Sequence, residues 1–564
     1  MEFLDWLVIG VFFLALIGII VWVVRQKQNN SADYFLGGRD ATWLAIGASI
    51  FASNIGSEHL IGLAGAGASS GMAMAHWEIQ GWMILILGWV FVPFYTRSMV
   101  YTMPEFLERR YNPQSRTILS VISLVSYVLT KVAVTVYAGG LVFQQVFGIK
   151  ELWGIDFFWI AAIGLVLLTA VYTIFGGMKS VLYTSVLQTP ILLLGSLIIL
   201  VLGFKELGGW DEMIRTCSAV TVNEYGDTMT NLIRNNGDPN FPWLGALIGS
   251  AIIGFWYWCT DQFIVQRVLS GKNQKEARRG TIFGAYLKLL PVFLFLIPGM
   301  IAFALHQHSL AAGGEGFLPL LANGSANADA AFPTLVAKLL PAGVKGLVVC
   351  GILAALMSSL ASLFNSSAML FTIDFYKRFR PQTSEKHLVT IGQIATVVIV
   401  ILGILWIPIM RSVGDVLYTY LQDVQSVLAP GIAAAFLLGI CWKRTSAQGG
   451  MWGLISGMVI GLTRLGAKVY YSNAGEAGDS LFKYLFYDMN WLFFCGWMFL
   501  FCIIVVIVVS LATEAPTAEK IQGLVFGTAT KEQKAATRAS WNHWDIIHTV
   551  IILAITAAFY WYFW

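Results

Sequence analysis

The sequence predicts an all-α polytopic membrane protein with about 14 transmembrane helices. Of its 564 residues, 57% are hydrophobic and only 12% are charged. A helix that crosses a bilayer needs about 20 consecutive, mostly apolar residues, and runs of that length recur along the whole chain. Because no soluble domain of this size needs so many uninterrupted apolar runs, the chain is expected to span a lipid bilayer repeatedly.

The apolar runs are separated by short polar loops, and each run is long enough for one span. They cover residues 4–24, 42–69, 74–96, 118–146, 156–175, 180–204, 243–266, 281–304, 334–374, 388–410, 416–441, 446–470, 490–512 and 545–563. The run at 334–374 is too long for one simple span, and we expect it to begin as an amphipathic stretch outside the membrane.

The distribution of loop charges predicts the orientation. Lysine and arginine are densest at 97–116, 267–279 and 377–386, which fall in alternate loops. Since positive residues favour the cytoplasmic side, these loops are predicted to lie inside. With an even number of spans, both termini are then predicted to lie outside a plasma (inner) membrane.

Composition also argues against several classes of protein. The net charge of +4 is small and spread over short loops, so we expect no nucleic-acid partner. The six cysteines are scattered without a CxxC pair, which indicates neither a disulfide framework nor a metal site. No feature indicates an obligate protein partner. The N-terminal apolar run is too long for a cleavable signal.

The first long apolar segment after residue 40 contains a polar interruption at 51–67 (FASNIGSEHLIGLAGAG), with glycines around its polar residues. Those polar residues are Ser53, Asn54, Ser57, Glu58 and His59. In hydrocarbon, irregular backbone is tolerated only where it is buried in protein or lines a cavity. The interruption therefore predicts a binding site on a broken helix.

Ionisable residues within other spans are functional hypotheses by default. Glu78 and Lys288 lie away from the span ends, so a functional role is favoured, with a structural ion pair as the alternative. For Lys131 and Asp261 a structural role is favoured. His76 is expected near the outer membrane surface, without a role in the site.

A second candidate break covers 254–262 (GFWYWCTDQ), where aromatic residues follow a glycine and precede a polar cluster. Aromatic rings stack on the apolar face of a sugar, while amides and carboxylates bond its hydroxyls. The alternative is an interfacial belt of Trp and Tyr.

A third element, 355–366, carries closely spaced serines at 358, 359, 362 and 366. Their hydroxyls are hard oxygen ligands of the kind Na+ accepts, but spacing alone favours close helix packing.

Interrupted helices in corresponding positions of two halves are typical of secondary transporters with inverted repeats. The predicted organisation is an extra span and inner loop at 1–41, repeats at 42–204 and 243–441 joined by an outer loop at 205–242, and three spans at 442–564 with an inner linker at 514–544. No residue-level repeat is visible, so this division follows the pattern of breaks alone.

At these residues the chain resembles the sodium/glucose cotransporters of the sodium–solute symporter family, over most of residues 5–470. The matching motifs occur in the family's order: FASNIGSEHLIGLAGAG, WYWCTDQFIVQRVLSGKN, YLKLLPVFLFLIPGMI, ALMSSLASLFNSSAMLFTIDFY and TYLQDVQSVLAPGIAAAFLLGICWKR. The resemblance implies a five-plus-five inverted-repeat core of the leucine-transporter type within fourteen spans.

The resemblance also implies three groups of site residues. The sugar-binding group comprises Asn54, His59, Glu78, Tyr257, Trp258, Lys288 and Gln422. The gating group comprises Leu63, Trp77 and Tyr418 as an outer lid and Tyr257 as an inner gate. Na+ would be bound by the backbone carbonyls of Ala52, Ile55 and Ala355 and by the hydroxyls of Ser358 and Ser359. Glu78 and Lys288 would bond opposite hydroxyl edges of the sugar ring.

Two positions depart from the family pattern. After the YTIFGG motif, Ser185 stands where an acidic residue is associated with a second sodium, which favours one Na+ per sugar. Glu58 stands where many members have glycine, and its role is open.

The resemblance implies a Na+-coupled symporter, not an enzyme, that imports a neutral hexose of the glucose or galactose type by alternating access. The alternatives are another solute (myo-inositol, a sialic acid or a monocarboxylate) and, from a different class, a membrane sugar sensor or membrane-bound enzyme. An anionic solute would not be expected to face a carboxylate such as Glu78. The longest inner loop carries neither a signalling domain nor a catalytic constellation.

Overall fold

The computed structural model describes the chain at residues 1–26, 28–56, 58–321, 324–410, 417–473 and 480–564. The side chains described exclude those of residues 129–130, 409–410, 417–421 and 472–473. Within these ranges the regular structure is almost wholly helical. One two-residue antiparallel pair, β1 Glu151–Leu152 with β2 Ile155–Asp156, is the exception.

In the first half of the chain the helices vary widely in length, and α1 and α11 are the longest. They are α1 Phe3–Arg25, α2 Ser31–Leu36, α3 Trp43–Asn54, α4 Ala64–Ser70, α5 Ala75–Glu78, α6 Gly81–Ile86, α7 Val92–Ser98, α8 Met103–Arg110, α9 Pro113–Ser126, α10 Ala133–Phe147, α11 Phe157–Leu207 and α12 Trp210–Ser218.

In the second half the longest helices lie in the middle. Its helices are α13 Trp243–Gly254, α14 Gln262–Leu269, α15 Gln274–Lys288, α16 Ile297–Ala311, α17 Ala331–Leu339, α18 Val344–Met369, α19 Lys377–Phe379, α20 Glu385–Met410, α21 Leu417–Cys441, α22 Ala447–Asn473, α23 Leu481–Lys483, α24 Trp491–Ala512, α25 Ala518–Ile521, α26 Lys531–Ala539 and α27 His543–Tyr562.

Many of these helices are joined by a short helical turn that is wider (π) or tighter (3-10) than an α-helical turn. The π-helical turns are Glu58–Leu63, Leu87–Phe91, Tyr127–Val132, Phe255–Thr260, Val292–Leu296, Leu370–Tyr376 and Tyr484–Asp488, and the 3-10 turns are Gly37–Arg39, Gly71–Met74 and Ala328–Ala330. π turns inside helices frequently mark functional sites, and the turns at Glu58–Leu63 and Phe255–Thr260 border the candidate site.

Ten helical stretches of the described chain are long and apolar enough to cross a membrane, and two shorter apolar helices accompany them. The ten are Phe3–Arg25, Glu58–Ser98, Phe157–Leu207, Trp243–Thr260, Gln274–Ala311, Val344–Phe379, Glu385–Pro408, Gln422–Cys441, Trp491–Ala512 and His543–Tyr562. The prediction of a multi-pass membrane protein is therefore confirmed.

Helix α11 accounts for two of the predicted spans. Its 51 residues would extend for about 76 Å, far beyond the roughly 30 Å of hydrocarbon in a bilayer. Gly177 breaks it with a φ of +52°, and the Ser180 hydroxyl donates to the Tyr172 carbonyl at 3.1 Å. In a straight helix, residues eight apart are separated by about 12 Å, so the chain turns sharply here, between the apolar runs 156–175 and 180–204.

The burial of the helices separates a core from a periphery. The most apolar part of α18 is 89% buried against α11, α3 and α1, whereas that of α27 is only 17% buried. A mostly exposed apolar helix is suited to contact with lipid. The core thus brings together the elements that carry the polar interruptions, and α27 lies at its edge.

Two details make the sequence-based expectations more specific. The long run at 334–374 is divided into α17 and α18, as its length suggested. His76, expected near the outer membrane surface, is buried, with Nδ1 2.9 Å from the Tyr560 hydroxyl and Nε2 3.1 Å from the carbonyl oxygen of Leu232 in the predicted outer loop.

Candidate functional site

The first polar interruption is a break between α3 and α4. Helix α3 ends at Asn54, and Ile55 leaves helical geometry with φ −79° and ψ 106°. The Gly56 carbonyl accepts the N–H groups of His59 and Leu60, and the chain resumes as a π turn from residue 58. Asn54 and His59 therefore stand on either side of the break, near the middle of the membrane segment.

The second interruption has the same form. Helix α13 ends at Gly254 and continues as a π turn that carries Tyr257 and Trp258. Asp261 then takes an extended conformation, and its side chain accepts the Phe263 N–H to cap α14. Both predicted breaks are present in the structure.

The two breaks meet around one internal cavity. All seven residues of the predicted sugar-binding group line it: Asn54, His59, Glu78, Tyr257, Trp258, Lys288 and Gln422. They come from α3, the two π turns, α5, α15 and α21. The fold therefore assembles side chains from distant parts of the sequence into one wall.

A continuous hydrogen-bonded chain fixes one side of this cavity. Lys288 Nζ donates to Glu78 Oε2 at 2.6 Å and to Asn54 Oδ1 at 3.1 Å, and Asn54 Nδ2 donates to the Tyr257 hydroxyl at 3.1 Å. His59 Nε2 lies 3.2 Å from Glu78 Oε2. A buried ion pair is tolerated only when further hydrogen bonds satisfy its members, and this chain supplies them while joining four elements.

A second ion pair lies beside the first. Lys131 Nζ donates to Asp261 Oδ2 at 2.6 Å and lies 4.8 Å from the ring centroids of both Tyr257 and Phe263. The Tyr127 hydroxyl also donates to Asp261. The structural role expected for the pair agrees with these contacts, but Lys131 also lines the cavity.

Sequence reasoning missed other cavity-lining residues. Gln80, Thr135 and Gln425 line it as well. Gln80 Nε2 donates to the Ser250 carbonyl at 2.8 Å, and Trp258 Nε1 donates to Gln80 Oε1 at 3.3 Å. A single amide or hydroxyl within an apolar span is weak evidence of a binding site, and polar character is the one sequence feature that marks these three residues.

The three residues predicted to form the outer lid differ in their surroundings. Trp77 lines the cavity and stacks on Trp491 of α24, with ring centroids 5.5 Å apart and 24° between the planes. Leu63 is fully buried at the end of its π turn. The side chain of Tyr418 lies outside the described residues.

The predicted sodium ligands lie on two helices that contact each other. α3 packs against α18, and the Ser53 and Ser362 hydroxyls are 2.6 Å apart across this contact. The predicted ligand residues Ala52, Ile55, Ala355, Ser358 and Ser359 are all buried. Because the carbonyl groups in the last turn of a helix lack intrahelical partners, a break at the end of α3 favours cation binding there.

Ser185 joins the same hydroxyl-lined region. Its hydroxyl lies 3.3 Å from that of Ser358 and 3.5 Å from that of Ser49. The Ser185 hydroxyl also donates to the Val181 carbonyl at 2.6 Å, so this region gathers neutral oxygen atoms without a carboxylate from position 185.

Comparison with known proteins identifies the family. A model of the sodium:solute symporter family matches residues 34–457. The sodium/myo-inositol cotransporter 2 of Homo sapiens is 38% identical over 538 residues, which cover 93% of this chain and 79% of that protein. The chain belongs to the sodium:solute symporter family. A sodium/glucose cotransporter 4 of Danio rerio is 36% identical over 537 residues, covering 92% and 80%.

A solved structure supports the fold of this symporter. A Na+-coupled sialic acid symporter, in a substrate-bound outward-open state, superposes with a TM-score of 0.72 at 22% identity, over 92% of this chain and 99% of that one. The predicted fold class, a polytopic helical protein with a leucine-transporter-type core, is confirmed. As a family member the chain is a Na+-coupled solute symporter, a secondary transporter and not an enzyme.

Proposed function

We propose that this symporter imports a neutral, polyhydroxylated ring, with a hexose of the glucose or galactose type as the first candidate and one Na+ per solute. The observation that carries the proposal is the Lys288–Glu78 ion pair in the wall of the cavity. Hydroxyl groups both donate and accept, so they match a wall that offers a carboxylate and an ammonium together. An anionic solute would face the Glu78 carboxylate.

The remaining cavity side chains suit the same solute. Tyr257 and Trp258 offer aromatic surface for the apolar face of a sugar ring, with their own ring centroids 4.9 Å apart. Gln422 Oε1 is buried without a hydrogen-bond partner in the described part of the chain, so it can accept a solute hydroxyl. We propose Asn54 and His59 as further solute contacts, and Tyr257 as the inner gate.

Sodium would bind where α3 meets α18. In this proposal, the carbonyls of Ala52, Ile55 and Ala355 and the hydroxyls of Ser358 and Ser359 hold the ion, so that binding fastens the broken helix to α18. The same end of α3 carries Asn54, which lines the solute cavity. Sodium bound there raises solute affinity, and by linkage the solute raises sodium affinity by the same factor.

Transport would follow by rocking of one helical bundle against the other around this fixed site. We propose that 42–204 and 243–441 are the inverted halves, since each opens with a broken helix. Both termini would lie outside a plasma (inner) membrane, as the loop charges indicate.

One sodium ion supplies enough free energy for useful accumulation. A charge crossing about 100 mV releases about 2.3 kcal/mol, and a tenfold sodium gradient adds about 1.4 kcal/mol. The sum of about 3.7 kcal/mol sustains a solute gradient of roughly 500-fold. Ser185, which stands where the resemblance places an acidic residue for a second sodium, supports a single ion.

A cyclic polyol is the second candidate. The relatives that match at 37–38% identity include sodium/myo-inositol cotransporters, and a ring that bears only hydroxyls suits the same cavity wall. Competition for uptake separates the two candidates.

The test is Na+-driven uptake into proteoliposomes, with hexoses, myo-inositol and a sialic acid as competitors. We expect a hexose or myo-inositol to compete and the anionic sialic acid not to compete. Preferential competition by sialic acid would reject a neutral solute.

A further inference from the structure

Glu58 is a carboxylate of the cavity to which neither the fold nor the symport mechanism above gives a role. It begins the π turn that follows the break in α3. Its side chain folds back so closely over Gly56 that a methyl group at that position would collide with Glu58 Oε2. It lines the same cavity as Glu78 and Lys288. The break therefore places the carboxylate in the wall of the cavity.

The cations of the cavity are engaged by other carboxylates. Lys288 donates to Glu78 and Asn54, and Lys131 donates to Asp261. Glu58 Oε2, in contrast, is buried without a hydrogen-bond partner in the part of the chain that the structure describes. Glu78 and Asp261 are thus each paired with a lysine, whereas Glu58 Oε2 has no hydrogen-bond donor in the described part of the chain.

A buried carboxylate oxygen without a donor is unfavourable, because an ionised carboxylate only accepts hydrogen bonds and offers about four lone-pair sites for them. The bound solute is a group that can supply those donors. Two hydroxyls on adjacent ring carbons are spaced to reach the two oxygens of one carboxylate, and hydrogen bonds to a charged acceptor are stronger than neutral ones.

We propose that Glu58 is a further solute-binding residue whose carboxylate accepts two neighbouring hydroxyl groups of the ring. This rests on the proposed function, in which the solute is a polyhydroxylated ring. The proposal also narrows the class of solute. Because Glu58 and Glu78 require hydroxyl donors at two places on the ring, a fully hydroxylated six-membered ring is preferred to a deoxy sugar. Glu58 is in this way a specificity-determining residue.

The test compares Glu58→Gln and Glu58→Ala with the parent protein in Na+-driven uptake of the best solute and of its monodeoxy analogues. Glutamine keeps the size of the side chain and removes its charge, so the test remains valid if the alanine variant fails to fold. We expect the KM for the full solute to rise about 10- to 100-fold, the effect of one or two hydrogen bonds to a charged group. Glu206→Gln, the same change at an exposed position, is expected to leave KM unchanged.

The KM values of the monodeoxy analogues separate solute binding from a purely structural role of Glu58, because a structural role would not change the ratio of analogue KM to full-solute KM. In the parent protein, removal of a hydroxyl that Glu58 contacts is expected to raise KM strongly, whereas in Glu58→Gln the same analogue and the full solute are expected to have nearly equal KM values. The half-saturating Na+ concentration for Na+ binding without solute is expected to be unchanged.

An equal analogue penalty in the parent protein and in Glu58→Gln would overturn the inference, and so would a shift in Na+ affinity with the solute preferences intact. If the parent protein takes up neither hexose nor myo-inositol, the proposed function itself fails. The two failures are therefore distinguished by the parent protein alone.

Discussion

Replacement of Lys288 by alanine is the most informative change to the cavity wall. Lys288 is buried at the end of α15 and contacts Glu78 at 2.6 Å and Asn54 at 3.1 Å. The variant removes both hydrogen bonds and leaves the Glu78 carboxylate without its cation. Breaking a buried pair in this way costs about 3–5 kcal/mol, which we expect as a clearly lowered Tm in detergent.

Uptake is expected to fall as well. Lys288→Ala removes a cation placed to donate to a solute hydroxyl beside Glu78, so Na+-driven uptake at low solute concentration should fall by about 100-fold or more, equivalent to about 3 kcal/mol. The assay is initial uptake in proteoliposomes with matched amounts of folded protein.

A double variant separates the two effects. In Lys288→Ala with Glu78→Gln the stranded charge is gone, so the Tm should recover toward the parent value while uptake stays low. The exposed Lys205→Ala serves as control and should change neither. If Lys288→Ala keeps the parent Tm and uptake, or if the two changes act additively on Tm, the ion pair does not organise the site and the reasoning is refuted.

Three further changes test separate parts of the structure. Gln422→Ala should raise the solute KM about tenfold, the effect of roughly one hydrogen bond, with Na+ half-saturation unchanged; unchanged solute KM would remove Gln422 from the site. Ser359→Ala should raise the half-saturating Na+ concentration about tenfold, for loss of one oxygen ligand, and an unaltered sodium response would reject the serine as a ligand. Gly299→Ala would drive a Cβ into the Ala64 carbonyl oxygen, so overpacking should lower stability by about 1–3 kcal/mol. Gly164→Ala, with nothing within 4 Å, is its matched control, and equal Tm values for the two would contradict the close approach of α16 and α4.

Much of the fold could be predicted because lipid imposes simple rules. Apolar length predicted a chain that crosses the membrane repeatedly, and it separated the two runs that meet at Gly177 in α11. Because polar groups are costly in hydrocarbon, the polar residues near Asn54 and Gly254 predicted breaks there, and α3 and α13 end at these two residues. These predictions depend on local sequence, and the structure agrees with them.

The pairing of distant side chains was harder to predict. From the sequence, Glu78 and Lys288 could either contact the solute or form a structural ion pair. The structure shows the ion pair and also places both side chains in the cavity wall. Lys131 could be expected to be structural, but its place in the cavity depends on its ion pair with Asp261 at the second break. The burial of His76 could not be predicted from local sequence, because its partner Tyr560 lies 484 residues away along the chain.

The most direct test of the account is the ratio of charge to solute during uptake in one preparation of proteoliposomes. We predict that a labelled hexose or myo-inositol accumulates only with an inward Na+ gradient, with one positive charge entering per solute. Equal uptake when K+ replaces Na+, or uptake driven by a proton gradient alone, would contradict sodium-coupled transport of this solute.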